Sequence, residues 1–451
     1  MKNLKIILIA FLCAFLSCIT YAKSDGFIIE DVTLIDGTGR APINHASVLV
    51  RGDRISEIRR GKFAESERNN AEVINASGKY LIPGLMDVHV HLVGSVKITE
   101  DALVKVTLDR DQGIRALHGY LYSGVTSIYD SGNTAEYIFT LRNQERTGEI
   151  ISPRIFAAGG IVTYPGSHGG GPDATLVEDW PEAKIKLTEH IGYQPDMLKV
   201  TLEERGWGAR PMIPILPLPL MTNIIKYYND QGIRATAHAA SELRARQAIY
   251  AGVDALSHPV VTGPITESFA RLMAAKKIPM ASTLTIGDNY SRLVEHPEFL
   301  DQPLYQAVFT QKEIEVLKDE TSKKYSEATW TWWWKLMTPI ALDNVRQINA
   351  AGGVLALGTD QSQGPAAHRE MELLVKAGIP TNEVLKIATL NAAKFLGLES
   401  TLGSITEGKL ADMVLLNANP LADINNAKNI NTVIKNGEII NRAKLKLPVN
   451  K

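Results

Sequence analysis

Two histidines alternate with apolar residues in a segment of strand-like composition. His89 and His91 follow the mostly apolar residues 85–88 and are separated by Val90. Because side chains alternate between the two faces of a strand, both imidazoles lie on one face. Such a pair can bind a transition metal, although an isolated pair is more often hydrogen-bonded within a core. Its chemistry therefore depends on which other polar side chains reach the same face.

Four more polar side chains lie at or near the ends of later apolar segments. They are Lys199, His238, His258 and Asp360. Each alone fits a structural role. If the segments are parallel strands of one barrel, their carboxyl ends share one mouth and these side chains converge there. Polar groups inside an apolar barrel are costly unless they are paired or bind a metal. Imidazole and carboxylate together form a ligand set for zinc that needs no sulfur.

The middle of the chain must position these residues. Residues 83–399 alternate short apolar strands with helical stretches, which is typical of a parallel α/β fold. The eight strand candidates are residues 85–91, 125–130, 154–159, 196–201, 234–239, 254–259, 279–284 and 354–360. Eight such strands predict a (β/α)8 barrel of the TIM type. An open doubly wound sheet is the alternative, but no Gly-x-Gly-x-x-Gly motif follows the first strand.

Both chain ends consist of short β-type runs divided by turns. Asp36-Gly37 and Asn436-Gly437 are dipeptides that favour hairpins or tight turns. Neither end has enough strands to bury a core alone. We therefore expect residues 23–82 and 400–451 to meet in one small β-sandwich domain, with the barrel of residues 83–399 inserted between them.

The first 22 residues have the composition of a secretory signal peptide. Two lysines precede an apolar run from residue 6 to residue 16, and small residues surround a cleavage position after Ala22. The run is too short to span a bilayer comfortably. Cleavage after Ala22 predicts an exported, periplasmic protein.

Cys18 offers an alternative to this cleavage. The residues before it loosely resemble a lipobox, so a lipid on Cys18 would anchor the protein to a membrane as a lipoprotein. Cleavage after Ala22 would instead remove both cysteines, Cys13 and Cys18. The mature chain would then have no disulfide and no thiolate ligand, and nitrogen and oxygen atoms would have to hold any metal.

The overall composition limits the partners. The chain has 451 residues, 45% of them hydrophobic, and a formal net charge of −1. Without a long Lys/Arg run there is no case for binding nucleic acid, and we expect a small-molecule substrate. The tryptophans of residues 330–334 lie in a long excursion before the eighth strand. They are compatible with a mobile lid over the barrel mouth, a homo-oligomer contact or ordinary core.

The ordered motifs resemble those of a known family. Residues 83–91, PGLMDVHVH, are similar to the opening motif of the amidohydrolase superfamily. Its later motifs are matched by DMLKV, AHA, LSHP, LGTD and GSITEGKLAD, at residues 196–200, 237–239, 256–259, 357–360 and 403–412. The set most resembles the imidazolonepropionase-like group, which includes prolidase-type peptidases.

The resemblance implies a centre of two divalent metal ions, with zinc as the expected metal. His89 and His91 would hold one ion, and His238 and His258 the other. Lys199, carboxylated on its side-chain nitrogen to N6-carboxylysine, would bridge the ions, and Asp360 would ligate the first. Carboxylation needs an uncharged amine, and burial among cations lowers a lysine pKa.

The same resemblance implies a reaction. A hydroxide bridging the ions would attack an amide carbonyl, while Asp360 takes its proton as general base and returns it as general acid to the leaving nitrogen. His168 lies in a glycine-rich loop after the third strand that resembles a substrate-contacting loop in relatives. We expect it to contact substrate, and a plain surface histidine is the alternative.

The leading prediction is an enzyme that hydrolyses the C–N bond of a dipeptide or N-acyl amino acid. One alternative is a mononuclear cyclic-amide hydrolase or heterocycle deaminase in which Lys199 is structural. Another is a catalytically inactive small-molecule binding protein. Asp360 argues against the latter, since binding alone needs no general base.

Overall fold

The structure is a computed structural model that describes residues 26–68, 71–93, 95–98, 104–205 and 212–447. The predicted signal peptide of residues 1–22, including Cys18, lies outside these residues. Within the described part of the chain, no helix combines the length and the apolar character needed to cross a bilayer.

Strands make up the barrel and a second, β-rich domain. In chain order they are β1 (Gly26–Leu34), β2 (Ile43–Arg51), β3 (Arg54–Arg60), β4 (Glu72–Asn75), β5 (Tyr80–Pro83), β6 (Leu85–Val90), β7 (Ser95–Ile98), β8 (Val104–Thr107), β9 (Val125–Asp130), β10 (Arg154–Ala157), β11 (Val162–Thr163), β12 (Thr175–Leu176), β13 (Met197–Thr201), β14 (Arg234–His238), β15 (Ala255–Leu256), β16 (Met280–Ala281), β17 (Leu355–Ala356), β18 (Met413–Leu416), β19 (Ile430–Lys435) and β20 (Glu438–Ile440).

The helices alternate with the barrel strands. They are α1 (Glu65–Arg68), α2 (Arg110–Tyr122), α3 (Ala135–Arg146), α4 (Trp180–Gly192), α5 (Leu218–Asn229), α6 (Glu242–Ala251), α7 (Glu267–Lys276), α8 (Leu284–Glu295), α9 (Pro303–Val308), α10 (Gln311–Val316), α11 (Ser322–Glu327), α12 (Thr329–Ala350), α13 (Pro365–Lys376), α14 (Thr381–Ile387), α15 (Leu390–Leu396) and α16 (Arg442–Leu445).

Eight parallel strands close into the predicted barrel. Strands β6, β9 and β10 form one ladder, and β13 to β17 form another. The Asp196 amide donates to Ala157 O at 2.9 Å and joins the ladders at one seam, and the Val88 amide donates to Leu357 O at 2.9 Å at the other. The sequence prediction of a (β/α)8 barrel is confirmed.

The last three barrel strands are shorter than the sequence predicts. β15, β16 and β17 each have two residues in regular pairing. The chain beyond them stays beside its neighbours, because the Ser257 amide donates to Ala237 O and the Ser282 amide to Ala356 O, both at 2.9 Å. The apolar composition therefore predicted the length of the extended segments. The regular pairing of β15, β16 and β17 ends before those segments do.

Both chain ends contribute to one β-rich domain, as predicted. Its eight-stranded sheet runs β20-β19-β18-β5-β1-β2-β3, with β4 also paired to β1. The ends meet where β18 lies antiparallel to β5, with Met413 opposite Pro83. Ile29 and Val48 from the first end pack in the same buried cluster as Met413 and Ile434 from the second. Neither end could bury these apolar side chains without the other.

Small side chains line the barrel interior below the mouth. Ala255, Ala281 and Ala356 are fully buried there. Gly358 follows strand β17, where an added Cβ would lie 2.9 Å from His89 Cβ and 3.0 Å from that of Ala281. The absence of a side chain at Gly358 therefore lets the eighth strand pass close to the histidine strand.

The long excursion before β17 is helical. Trp334, in α12, is 3% exposed and belongs to the barrel core cluster, whereas Trp332 is 64% exposed. Trp330 contacts Tyr290 of α8, with ring centroids 6.1 Å apart. One tryptophan is therefore ordinary core, and the predicted lid movement stays a prediction.

Candidate active site and metal centre

The polar residues singled out in the sequence come from separate strands and meet at the barrel mouth. His89 lies in β6 and Lys199 in β13, while His238 ends β14. His258 and Asp360 follow β15 and β17. All five are buried or nearly so, and His91 has a side chain that is 39% exposed. The folded barrel thus gathers residues that lie up to 271 positions apart, the separation of His89 and Asp360 in the sequence.

His89, His91 and Asp360 form what we call the first cluster. Asp360 Oδ1 lies 3.7 Å from His89 Nε2 and 3.4 Å from His91 Nε2. One candidate ligand atom from each residue falls within 4.8 Å of the others. Three donors so placed can share one metal ion.

Main-chain carbonyls fix the orientation of both imidazoles in the first cluster. His89 Nδ1 is 2.9 Å from Ser257 O, and His91 Nδ1 is 2.7 Å from Gly132 O. A carbonyl oxygen can only accept, so each Nδ1 carries the hydrogen and each Nε2 presents its lone pair. Metal-binding histidines are commonly held in this way. The donor set therefore fits a divalent cation.

Asp360 occupies an unusual backbone conformation. Its φ of +53° lies in the left-handed region, which aspartate tolerates better than most residues. Its amide donates to His89 O at 2.8 Å. Burial raises the pKa of the Asp360 carboxyl, while the nearby His91 and Lys199 act in the opposite direction. The turn at Asp360 thus directs a buried carboxylate toward the histidines.

Lys199 is a buried amine beside the first cluster. It is 2% exposed, its Nζ donates to Ser131 Oγ at 3.0 Å, and Nζ lies 3.5 Å from His89 Nε2. Burial lowers the pKa of Lys199 to about 7, although the carboxylates of Asp360 and Asp130 oppose the shift. A substantial fraction of this amine is therefore uncharged at neutral pH.

Lys199, His238 and His258 form the second cluster. The His258 ring centroid lies 4.6 Å from that of His238 and 4.4 Å from that of His89, so the two clusters adjoin. His258 Nδ1 is 2.9 Å from Thr283 Oγ1. Burial is the main cause that lowers the pKa of both histidines well below its usual value. Both imidazoles are therefore neutral near pH 7, as metal ligation requires.

The structure also brings His168 to this site. Its ring stacks on that of His238, with centroids 4.1 Å apart and planes 25° apart. Thr201, at the end of β13, donates through Oγ1 to His168 O at 2.7 Å and ties the loop to the barrel. His168 therefore stands at the mouth, and its contact with substrate stays a prediction.

Comparisons with known proteins agree with this architecture. Residues 80–440 match the model of the amidohydrolase family. The chain belongs to the amidohydrolase family. It is therefore a hydrolase that acts on carbon–nitrogen bonds, and the predicted resemblance is confirmed.

Individual relatives have low sequence identity to this chain but align with it over most of both lengths. An imidazolonepropionase of Shouchella clausii is 23% identical over 429 residues, which cover 88% of this chain and 86% of that protein. A solved Xaa-Pro dipeptidase with methionine bound in its active site aligns with a TM-score of 0.71, at 24% identity, over 92% of this chain and 99% of that one. Molinate hydrolase aligns with a TM-score of 0.69, at 19% identity, over 95% and 97% of the two chains.

The amidohydrolase family is generally metal-dependent, and the first cluster has the matching donors. A cavity of about 300 Å³ opens beside it. Its lining is His91, Leu92, Gly132, Asn133, Thr134, Ile161, Gly169, Gly171, Asp173 and Ala174. This volume is at the lower end of the usual range for small-molecule sites. The substrate of this amidohydrolase is accordingly a small molecule.

Two buried aspartates of this amidohydrolase, Asp87 and Asp130, support the first cluster, although the sequence motifs predicted no role for them. Asp87 accepts from Thr359 Oγ1 at 2.7 Å and from the His89 amide at 3.2 Å. Asp130 accepts from the Leu92 amide at 2.8 Å. Asp87 could have been found, because it shares the alternating face of His89. Asp130 ends the second strand, but nothing local in the sequence marks its partner.

Ser131 and Glu203 were also missed. Ser131 receives the Lys199 hydrogen bond described above, and it lies 68 residues away in the chain. Glu203 Oε2 lies 3.6 Å from His238 Nε2. Lys199, Thr201 and Glu203 occupy every second position, so the period of a strand could have indicated Glu203.

Proposed function

We propose that this amidohydrolase cleaves the amide C–N bond of a dipeptide or an N-acyl amino acid, using two divalent ions and a carboxylated Lys199. The observation that carries the proposal is the Lys199 amine, 2% exposed and 3.5 Å from His89 Nε2. A purely structural lysine would gain little from burial next to histidines, because its charge is poorly solvated there.

Burial favours the modification chemically. The pKa of Lys199 is lowered to about 7, so an uncharged amine is available to add to CO2. The addition forms an N–C bond and releases one proton, leaving a carbamate with a negative charge. The modified side chain would replace a buried neutral amine by an anion and would suit neighbouring cations.

Six side chains would hold the two ions in this proposal. They are His89, His91 and Asp360 for one ion, His238 and His258 for the other, and carboxylated Lys199 for both. Zinc suits a donor set of nitrogen and oxygen atoms. When bound, such ions lower the pKa of a water molecule and polarise a substrate carbonyl.

Asp360 would move the protons of the reaction. Its Oδ1 already faces His91 Nε2 at 3.4 Å, and His91 lines the cavity. The carboxylate would take one proton from the attacking water and then return it to the leaving nitrogen. The C–N bond breaks, a C–O bond forms, and the products are a carboxylate and an amine.

The proposal is tested by turnover and metal content together. Protein reconstituted with zinc is screened against dipeptides and N-acyl amino acids, with release of amine as the readout. We expect turnover on at least one of these classes and two equivalents of metal per chain. Activity confined to cyclic amides or heterocycles would refute the substrate proposal.

A mononuclear enzyme is the second candidate, and one observation favours it. The first cluster alone supplies three donors within 4.8 Å, so one ion could bind without Lys199. The Shouchella clausii relative is an imidazolonepropionase, which is compatible with a cyclic-amide substrate. One equivalent of metal in the wild-type protein would favour this candidate.

We also propose that the enzyme works outside the cytoplasm. The support is the composition of residues 1–22, and the expected product begins after Ala22. Determining the amino-terminal residue of the protein from a periplasmic fraction tests this, and a lipid-modified Cys18 in the membrane fraction would favour the anchored form.

A further inference from the structure

Glu203 is a buried carboxylate at the barrel mouth to which the proposed mechanism gives no role. It follows β13 and is 3% exposed. The Arg205 amide donates to its Oε1 at 2.9 Å, which leaves Oε2 facing His238 Nε2 at 3.6 Å. The backbone amides of Arg205 and Ala240 therefore anchor the carboxylate, and its Oε2 lies near a predicted metal ligand.

This placement is costly for a carboxylate. Burial raises the pKa of Glu203, while hydrogen bonds from the backbone and the charges of His168 and Arg244 act against that rise. The neighbouring Glu204 pairs with Arg244 Nε at 2.9 Å and is more exposed. Of the two adjacent glutamates, only Glu203 turns into the mouth, where a buried carboxylate needs a partner that can donate to it.

A carboxylate faces His238 on a different ring nitrogen from the one that anchors the other site histidines. His89, His91 and His258 are each held through Nδ1, at 2.9, 2.7 and 2.9 Å. His238 instead presents Nε2 to its carboxylate neighbour. A neutral imidazole carries one hydrogen, so a hydrogen on Nε2 leaves the lone pair on Nδ1.

We propose that Glu203 is a positioning residue for His238: it accepts the Nε2 hydrogen and so presents the Nδ1 lone pair to a divalent cation. At 3.6 Å the contact is looser than a hydrogen bond, and a ring movement of roughly half an ångström would bring it into range. A carboxylate that supports a ligating histidine fixes its tautomer and raises its basicity. The inference rests on the proposed function in one respect, because it takes His238 as a ligand.

Metal affinity provides the first test. Chelator-treated wild-type protein, Glu203→Ala and Glu203→Gln are titrated with zinc in competition with a chromophoric chelator. We expect Glu203→Ala to weaken the more weakly bound equivalent about 10–100-fold. Glu203→Gln should lose less, because its amide oxygen can still accept from Nε2. Glu204→Ala is the matched control and should bind as wild type.

The tautomer provides a second test that needs neither metal nor turnover. In metal-free protein with nitrogen-15 histidine, the His238 signals are assigned from their loss in His238→Ala. Wild type should show the hydrogen on Nε2, and Glu203→Ala should show a mixture or the opposite tautomer. Zinc affinity and tautomer unchanged in both Glu203 variants would overturn the proposal.

The two proposals fail in different ways. A wild-type protein that binds one equivalent of zinc would refute the two-ion function, yet the tautomer measurement on Glu203→Ala would still decide the role of Glu203. Conversely, two equivalents in both wild type and Glu203→Ala, at equal affinity and with the same tautomer, would refute the positioning role alone.

Discussion

The two clusters share one barrel mouth, but different parts of the protein hold them. In the first cluster the histidines donate to main-chain carbonyls. In the second, His258 meets the hydroxyl of Thr283 and His238 faces the carboxylate of Glu203. The fold alone sets the position of a carbonyl, whereas a hydroxyl or carboxylate depends on one side chain. We therefore expect the second cluster to be more sensitive to substitutions around it.

The clusters also differ in charge. The first contains the carboxylate of Asp360, which attracts a cation directly. The second contains the amine of Lys199, which repels a cation when protonated and which, in our proposal, ligates the ions after carboxylation. Folding alone therefore assembles the first cluster, whereas the proposed form of the second cluster needs carboxylation of Lys199 as well.

Replacement of Asp360 should have the largest effect. Asp360→Asn keeps the shape of the side chain but cannot accept the proton of the attacking water, so we expect turnover to fall by about 10²–10⁴-fold. Steady-state amine release measures the loss, and circular dichroism serves as the control for folding. A variant with more than about a tenth of wild-type activity would exclude Asp360 as the general base.

Substitutions of Lys199 should affect the metal content of the second cluster more than that of the first. Lys199→Ala should lose one of two equivalents and most activity, because the second cluster keeps only two histidines. Lys199→Arg should fail as well, since a guanidinium stays protonated and cannot carry a carbamate. Added formate or propionate should restore part of the rate to Lys199→Ala. Elemental analysis that finds one equivalent in both wild type and Lys199→Ala would exclude the bridged centre.

The buried amine should make the second cluster pH-sensitive in metal-free, CO2-free protein. Burial lowers the pKa of Lys199 to about 7 from 10.5, so the unfolded chain binds more protons between these values and the free energy of unfolding rises with pH. Lys199→Met removes this dependence. We expect Lys199→Met to be more stable than wild type at pH 7, because it buries no amine. The difference between their free energies of unfolding should shrink by about 2–3 kcal/mol between pH 7 and pH 9, as measured by denaturant unfolding. A constant advantage would mean that Lys199 is charged or solvated.

The smallest effect should come from the support of His258. Thr283→Val removes the hydroxyl next to His258 Nδ1 while keeping the side-chain shape, and we expect zinc to bind the second cluster about 10-fold more weakly. Thr283→Ser keeps the hydroxyl and is the matched control. Competition with a chelator measures both variants. Equal affinity in the two would show that the hydroxyl does not orient His258.

Several features could be predicted from the sequence because they depend on local patterns. The alternation of apolar and polar residues around His89 predicted a strand with both imidazoles on one face, and the repeated strand and helix segments predicted the barrel. Neither chain end has enough β-type runs to bury a core alone, and this predicted that the two ends would meet. Such patterns can be read from the sequence because the alternation of side chains along a strand is set by residues adjacent in the chain.

Only the tertiary structure decided what surrounds each ligand. The carbonyls of Ser257 and Gly132, the hydroxyl of Ser131 and the carboxylate of Glu203 reach the site from different strands and loops. No local pattern indicates which main-chain group will face an imidazole that lies 41 residues away, as for Gly132 and His91, or 168 residues away, as for Ser257 and His89. The sequence by itself determined which residues could bind and move protons. Barrel closure decided the tautomers of His89 and His91, the burial of the site residues and the lowered pKa of Lys199, because these depend on distances between strands.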